Sequence, residues 1–131
     1  MNLVFDTSAL SKLLSNDEHM LTAFKNQSWE QLFVPLAVDA ELRFGFKHGS
    51  REQKNLAIYQ KFMIEFSVEV VIPDQTTSIL YADLATWCRK QGVGLSHNDI
   101  WIAAIAVQTA GRLLTTDKDF ATLPQLALVA M

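Results

Sequence analysis

Short apolar runs, rich in β-branched and aromatic residues, alternate along the whole chain with longer segments of helical periodicity. Five runs predict strands: "NLVF" (2–5), "LFVP" (32–35), "VEVVI" (68–72), "RLLTT" (112–116) and "LALVAM" (126–131). Apolar residues recur at helical spacing over residues 8–14, 18–27, 36–47, 51–66, 75–91 and 97–110. Such alternation predicts an α/β fold with a mostly parallel sheet of about five strands and helices on both faces. The length of 131 residues suits a single domain, 1–131.

Composition narrows the class of protein. Half of the residues are apolar and 19% are charged, which is typical of a globular chain and excludes a disordered one. The single cysteine allows no internal disulfide, so a reducing cytoplasm is the expected location. No signal peptide is evident, and the longest apolar run, "IWIAAIAV" (100–107), is too short to span a bilayer.

Acidic residues stand where the predicted strands end. Asp6 directly follows the first strand, and Asp117 and Asp119 follow the fourth. Ligands of parallel sheets bind at the carboxyl ends of the strands, near a switch in strand order. Asp99 opens a predicted helix and Glu41 lies early in another. Four acids from separate segments are therefore expected to meet at one edge of the sheet.

Each acid also has an ordinary structural interpretation. Asp6 and Asp99 suit helix caps or first-turn acids, and Asp117 and Asp119 suit a turn. A cluster of carboxylates without a cation repels itself, and a hard divalent ion such as Mg²⁺ or Mn²⁺ relieves that repulsion with oxygen ligands. Such an ion activates water and neutralises charge on a phosphodiester. The chain has no GxSxG motif, P-loop or reactive-cysteine context that would indicate another chemistry.

Local signals predict some details of the helices. Leu36, Ala40 and Phe44 form one apolar stripe of the helix that carries Glu41, and this stripe is expected to be its apolar face. Ser50 and Gln53 resemble a capping box before the following helix. Gly92 and Gly111 are expected to end the helices over 75–91 and 97–110.

Four pieces in order carry a resemblance to a known family: "FDTSAL" (5–10), "AELRFG" (40–45), "GLSHNDIWIAA" (94–104) and "LLTTDKDF" (113–120). The chain resembles PIN-domain proteins, and within them the VapC toxins of VapBC toxin–antitoxin pairs. The resemblance extends over the whole chain. It implies a single PIN-like nuclease domain and an endoribonuclease that depends on Mg²⁺ or Mn²⁺ and leaves 5′-phosphate and 3′-hydroxyl ends. It also implies a VapB-type antitoxin partner, which commonly supplies an arginine to the acidic pocket, and self-association as a dimer.

The resemblance also assigns site residues. It implies catalytic acids at Asp6, Glu41, Asp99 and Asp117, of which Asp6, Asp99 and Asp117 hold the metal. Asp119 is a further or outer-shell acid, and the hydroxyls of Thr7 and Thr116 match positions that hydrogen-bond near the metal. Ser8 stands where asparagine is commonest in the family, so the inner hydrogen bonds are expected to differ. His97 stands where many members carry proline or a small residue. Contact with a phosphate is one interpretation of it, and we favour the other, a polar residue ahead of the helix.

The positive charge that RNA binding needs is concentrated in one segment. The formal net charge is −3, whereas residues 43–61 carry five cationic side chains and one acidic side chain, a net +4. Arg43 and Lys47 are the best RNA-binding candidates because they lie one and two turns from Glu41. An ion pair that orients the acids is the alternative role for Arg43.

Other functions fit the sequence less well. A haloacid-dehalogenase-type phosphatase needs a second acid two residues after the first, and that position is Ser8. A phosphoacceptor receiver domain needs paired acids near the first strand, where "MNLVFDTS" offers one. A catalytically silent PIN-like module that binds RNA or protein, with purely structural acids, stays open as the alternative.

Overall fold

The computed structural model describes residues 1–131 and contains five strands, six α-helices and one 3₁₀ helix. The elements are β1 (Asn2–Phe5), α1 (Thr7–Leu14), α2 (Glu18–Lys25), β2 (Leu32–Pro35), α3 (Leu36–His48), α4 (Glu52–Glu65), β3 (Glu69–Val71), α5 (Gln75–Gln91), α6 (His97–Gln108), β4 (Gly111–Leu114), the 3₁₀ helix (Lys118–Thr122) and β5 (Ala127–Leu128). Every predicted strand and helix is present, although the last strand is much shorter than predicted. None of the helices is both long and apolar enough to cross a membrane.

The sheet has the order β3-β2-β1-β4-β5, and all its pairs are parallel. The chain runs from β1 outward to β3, then returns past β1 to β4 and β5. Right-handed crossovers in the two directions put α1–α4 on one face and α5–α6 on the other. The strand order therefore switches between β1 and β4, and a ligand site is expected at the carboxyl ends of these two strands. The predicted α/β architecture is confirmed.

The core surrounds the two central strands. Leu3, Val4 and Phe5 of β1 are buried, as are Leu113 and Leu114 of β4. Side chains that are buried on both faces of a strand read as a continuous apolar run, which is why "NLVF" and "RLL" gave strong strand signals. In the register of the pair, Val4 lies opposite Leu113 and Phe5 opposite Leu114, so the two strands end level with each other.

The two predicted glycine stops have different outcomes. Gly92 follows α5 in the left-handed conformation, with φ of 68°, as a glycine after a helix often does. After α6 the left-handed residue is Ala110, with φ of 52°, and Gly111 is the first residue of β4. A Cβ atom on Gly111 would lie 2.7 Å from Cγ2 of Val4, so a larger residue there would force the Val4 side chain or the strand to shift.

Two predictions about α3 and α4 are wrong. Leu36 and Phe44 are 40% and 65% exposed, whereas α3 buries Val38 and Leu42. Both sets have the same four-residue spacing, so periodicity alone did not tell which row faces the core. The predicted capping box before α4 is absent, because Arg51 is the N-cap residue and no side chain caps this helix.

Candidate functional site

Asp6 lies at the carboxyl end of β1 and is 5% exposed. It is the N-cap residue of α1, and its Oδ1 accepts a hydrogen bond from the backbone N–H of Ala9 at 2.9 Å. The Ser8 hydroxyl donates to the same oxygen at 3.1 Å, and the Thr115 hydroxyl donates to Oδ2. The cap predicted as the ordinary interpretation is therefore real, and it also fixes the carboxylate at the sheet edge.

Burial is the largest influence on Asp6 and raises the pKa of its carboxyl above the usual value near 3.8. The hydrogen bonds from Thr115, Ala9 and Ser8 lower this pKa, and the negative charge of Asp99 raises it. The net direction is upward, so Asp6 carries its charge at a cost that its donors only partly offset. A cation beside Asp6 would remove this cost.

Thr115 connects β1 to β4 through its hydroxyl group. It donates to Asp6 and accepts a hydrogen bond from the backbone N–H of Asp117 at 2.9 Å. The N–H of Asp117 binds to a lone pair of the Thr115 oxygen. The single hydroxyl proton of Thr115 is therefore free to point at Asp6. Thr115 is buried, and sequence reasoning chose the neighbouring Thr116 instead. Thr116 contacts the Ser8 hydroxyl at 3.0 Å and reaches Asp6 only through Ser8.

The other acids also sit at defined positions. Asp117 is the N-cap residue of the 3₁₀ helix and accepts from the backbone N–H of Asp119 at 2.9 Å. Asp99 forms a capping box with Ser96 at the start of α6. Three acids thus lie at helix starts, where the positive ends of the helices stabilise negative charge. Glu41 lies inside α3, and the Thr7 hydroxyl donates to its Oε1 at 3.0 Å.

All four predicted acids line one cleft of about 440 Å³ at the carboxyl ends of β1 and β4. We call it the acid cleft; its lining residues are Asp6, Thr7, Ser8, Ser11, Glu41, Asp99, Thr116 and Asp117. The lining contains no apolar residue and no cationic side chain. Asp119 does not line it; the Asp119 side chain is exposed, and its backbone N–H donates to Asp117. Ser11 lines the cleft, although sequence reasoning did not select it.

The donor set of the acid cleft fits a hard divalent cation in its chemistry. It offers carboxylate and hydroxyl oxygens, the ligands that Mg²⁺ and Mn²⁺ prefer, and no cationic side chain competes for them. In the present conformation, however, no three carboxylate, imidazole or thiol groups are arranged to hold a metal ion. A bound ion would have to draw these side chains together.

The predicted RNA-binding cations lie outside the acid cleft. Arg43 Nε contacts Asp39 at 3.0 Å, and Lys47 Nζ contacts Glu52 at 3.0 Å. Both line a separate small depression with Phe46, Glu52 and Leu56. Asp39 also accepts a hydrogen bond from Tyr59 at 2.8 Å, and burial with this contact raises the pKa of the Tyr59 hydroxyl. His97 is exposed, and its Nδ1 contacts the Tyr81 hydroxyl.

Comparison with known proteins identifies the family. Residues 3–126 match the PIN domain. The chain belongs to the PIN domain family. Ribonuclease VapC4 of Mycobacterium tuberculosis is 27% identical over 108 residues, which cover 82% of this chain and 81% of that protein. VapBC-1 from nontypeable Haemophilus influenzae has a TM-score of 0.81 and 25% identity, over 98% of this chain and 96% of that one.

A further solved structure has the same fold with fewer identical residues. VapBC2 from Rickettsia felis, bound to a DNA fragment from its promoter, has a TM-score of 0.84 and 20% identity. The match covers 98% of this chain and 97% of that one. The relatives of this PIN domain thus include VapC proteins, as the sequence motifs predicted.

Proposed function

We propose that the protein is a metal-dependent endoribonuclease and the toxin of a type II toxin–antitoxin system. The observation that carries this proposal is the acid cleft, in which four carboxylates of a PIN domain meet with no cationic side chain among them. The name of its relative, Ribonuclease VapC4, supports RNA as the substrate. The location of the cleft at the switch in strand order supports it as the ligand site.

We assign the metal to Asp6, Asp99 and Asp117, and a catalytic role beside it to Glu41. Bound Mg²⁺ or Mn²⁺ would lower the pKa of a water molecule and neutralise charge on the phosphodiester. Three hydrogen-bond donors of the chain stabilise the Asp6 carboxylate and partly offset its burial, and Thr7 orients Glu41. In the reaction the water oxygen loses a proton and bonds to phosphorus, the bond from phosphorus to the 3′ oxygen breaks, and that oxygen takes a proton from solvent, which leaves 5′-phosphate and 3′-hydroxyl ends.

The deciding experiment measures cleavage of end-labelled single-stranded RNA with Mg²⁺ or Mn²⁺. Cleavage should stop in EDTA and in Asp6→Asn. Asp83→Asn is the matched control, because Asp83 is an exposed acid on α5 that does not line the acid cleft. Cleavage that persists unchanged in both EDTA and Asp6→Asn would rule out the metal mechanism.

A catalytically silent PIN-like module that binds RNA or protein is the second candidate. The observation that favours it is that no three potential ligand groups are arranged to hold a metal ion. Calorimetric titration with Mn²⁺ distinguishes the two proposals. A nuclease should bind the ion in wild type and lose binding in Asp6→Asn, whereas a silent module should bind RNA without binding Mn²⁺ or cleaving.

We propose a VapB-type antitoxin as the protein partner. Structural neighbours, including VapBC-1, are VapBC assemblies by name, which supports this partner. An apolar groove of about 570 Å³ between α1, α2 and α4 offers a place for it, and an arginine of the antitoxin would suit the acid cleft. Co-expression with the gene product encoded next to this chain should yield a complex that does not cleave RNA.

We also propose a homodimer in the cytoplasm. Exposed apolar side chains support self-association: Phe44 is 65%, Ile72 69% and Ile79 60% exposed. Cys88 is buried and unpaired, which suits a reducing compartment. Light scattering of the purified chain measures the oligomeric state.

A further inference from the structure

A second depression opens beside the acid cleft on the side of β5. It is open to solvent and has a volume of about 580 Å³, within the size range of small-ligand sites. We call it the flanking pocket; its lining residues are His19, Thr115, Thr116, Asp117, Lys118, Ala121, Leu128, Val129 and Met131. It shares Thr116 and Asp117 with the acid cleft, so the two depressions form one continuous surface.

The flanking pocket differs from the acid cleft in its charge. Lys118 and His19 are both exposed side chains, and neither forms an ion pair within the chain. Asp117 at the shared boundary is the only acid in the lining. A polyanion that crosses the acid cleft therefore meets hydrogen-bond donors and positive charge on this side.

The rest of the flanking pocket offers apolar surface. Leu128 and Val129 belong to β5 and its end, and Ala121 lies on the 3₁₀ helix. The combination of an unpaired lysine with apolar surface suits a nucleotide, which has a charged phosphate at one end and, at the other, a flat base whose faces pack against apolar side chains. Single-stranded RNA exposes phosphates and unstacked bases that such a surface can contact.

We propose that the flanking pocket binds the nucleotide next to the cleaved bond, with Lys118 on its phosphate and the base against Ala121 and Leu128. His19 donates to the same nucleotide. This inference rests on the proposed function, because it takes RNA as the polymer that occupies the acid cleft. Arg43 and Lys47 are paired with acids of their own chain, whereas Lys118 is available.

The test measures binding separately from cleavage. Fluorescence anisotropy follows a labelled single-stranded RNA that binds the non-cleaving Asp6→Asn variant, and also wild type in EDTA. Lys118→Ala in each setting should weaken binding several-fold, and the slope of log K against log salt should fall in magnitude by about 0.7, the loss of one phosphate contact on a single strand. Lys118→Arg should restore both values.

Two further variants complete the experiment. Lys90→Ala is the matched control, since Lys90 is exposed and unpaired but lines neither depression, and it should leave binding unchanged. Ala121→Phe fills the pocket without a change of charge, so it should weaken binding and leave the salt slope unchanged. Equal effects of Lys118→Ala and Lys90→Ala would overturn the proposal, as would full affinity in Ala121→Phe.

The outcomes separate this inference from the nuclease proposal. If wild type cleaves RNA in the presence of metal and RNA binding does not depend on Lys118, only the flanking-pocket proposal is overturned. Binding that depends on Lys118, without cleavage under any metal condition, overturns the nuclease and supports the pocket. Absence of RNA binding in wild type overturns both.

Discussion

The two flanks of the acid cleft hold their side chains by different means. On the β4 flank (Thr115, Asp117 and Lys118), backbone pairing of the sheet places Thr115 opposite Asp6, and burial holds it there. On the α3 flank (Thr7, Glu41, Arg43 and Lys47), a single hydroxyl from α1 orients Glu41 at 3.0 Å. The β4 flank is therefore fixed by the sheet, and the α3 flank by side-chain contacts.

The flanks also differ in the state of their cations. Arg43 and Lys47 are paired with Asp39 and Glu52, whereas Lys118 forms no ion pair. A paired cation gives up its existing partner when it binds a phosphate, so its net gain is small. The comparison predicts that pairing within the chain, rather than proximity to the acids, decides which cations bind RNA.

The largest expected effect comes from Asp6, which lies between the flanks. Asp6→Asn should lower metal-dependent RNA cleavage by about a thousandfold or more, because it removes the charge of one proposed metal ligand. In metal-free buffer the same variant should melt at a higher temperature than wild type. Measurement of both properties separates loss of chemistry from loss of structure.

The pH dependence of this stability difference follows from the raised pKa of Asp6. A carboxyl whose pKa is higher in the folded state stabilises the fold below the unfolded value near 3.8, and this contribution is lost as the pH rises through the folded value. The melting temperature of Asp6→Asn should therefore exceed that of wild type by the full amount at pH 7, and the difference should shrink as the pH falls. If Asp6→Asn were less stable than wild type at pH 7 without metal, this prediction would be wrong.

The second-largest loss of cleavage is expected from a change on the β4 flank. Thr115→Val keeps the shape of the side chain but removes the donor to Asp6 and the acceptor for Asp117. Because a hydrogen bond to a charged group contributes about 1.5–3 kcal/mol, cleavage should fall about 10- to 100-fold. Since the Thr115 contact lowers the pKa of Asp6, its loss raises that pKa, and the acid limb of the pH–rate profile should move to higher pH.

Thr116→Val is the matched control for Thr115→Val. Thr116 is exposed and contacts only the Ser8 hydroxyl, so the change should have a much smaller effect on the rate and none on the position of the acid limb. If the two variants lost the same cleavage activity, the position of Thr115 opposite Asp6 in the sheet would not make its hydroxyl more important than that of Thr116.

A smaller effect is expected on the α3 flank. Thr7→Val removes the donor to Glu41, which is only partly buried and can rotate into solvent. The loss corresponds to about 1 kcal/mol, or about fivefold in the cleavage rate. If Thr7→Val lowered the cleavage rate more than Thr115→Val does, the α3 flank would matter more to cleavage than the β4 flank.

The same contrast explains what the sequence could predict. Buried apolar runs and the acids beyond them were visible, so the five strands were predicted, the last one too long, and Asp6 and Asp117 lie beyond the ends of β1 and β4 as expected. Thr115 was missed because its role depends on the register of β1 against β4, where Phe5 pairs with Leu114 and the next residues face each other. Register is a property of the folded pair, and the sequence of one strand does not specify it.

Side-chain partners across elements were also out of reach. Lys47 on α3 forms an ion pair with Glu52 on α4. Asp39 on α3 accepts a hydrogen bond from the hydroxyl of Tyr59, which also lies on α4. The stripe of Leu36 and Phe44 was assigned to the wrong face of α3 because two rows share one spacing. These features depend on how α3 and α4 pack, which no local pattern encodes.

The smallest expected effect concerns the paired cations themselves. Arg43→Ala and Lys47→Ala should each lower RNA affinity by less than about twofold, because exposed ion pairs contribute about 0–1 kcal/mol and the cation only exchanges one anion for another. Glu52→Gln tests the reason for this, since it frees Lys47 and should tighten RNA binding at low salt while leaving Arg43 unaffected. Anisotropy titrations at two salt concentrations measure each change. If Arg43→Ala weakened binding more than Lys118→Ala does, pairing within the chain would not decide which cations bind RNA, and distance from Glu41 would be the better guide.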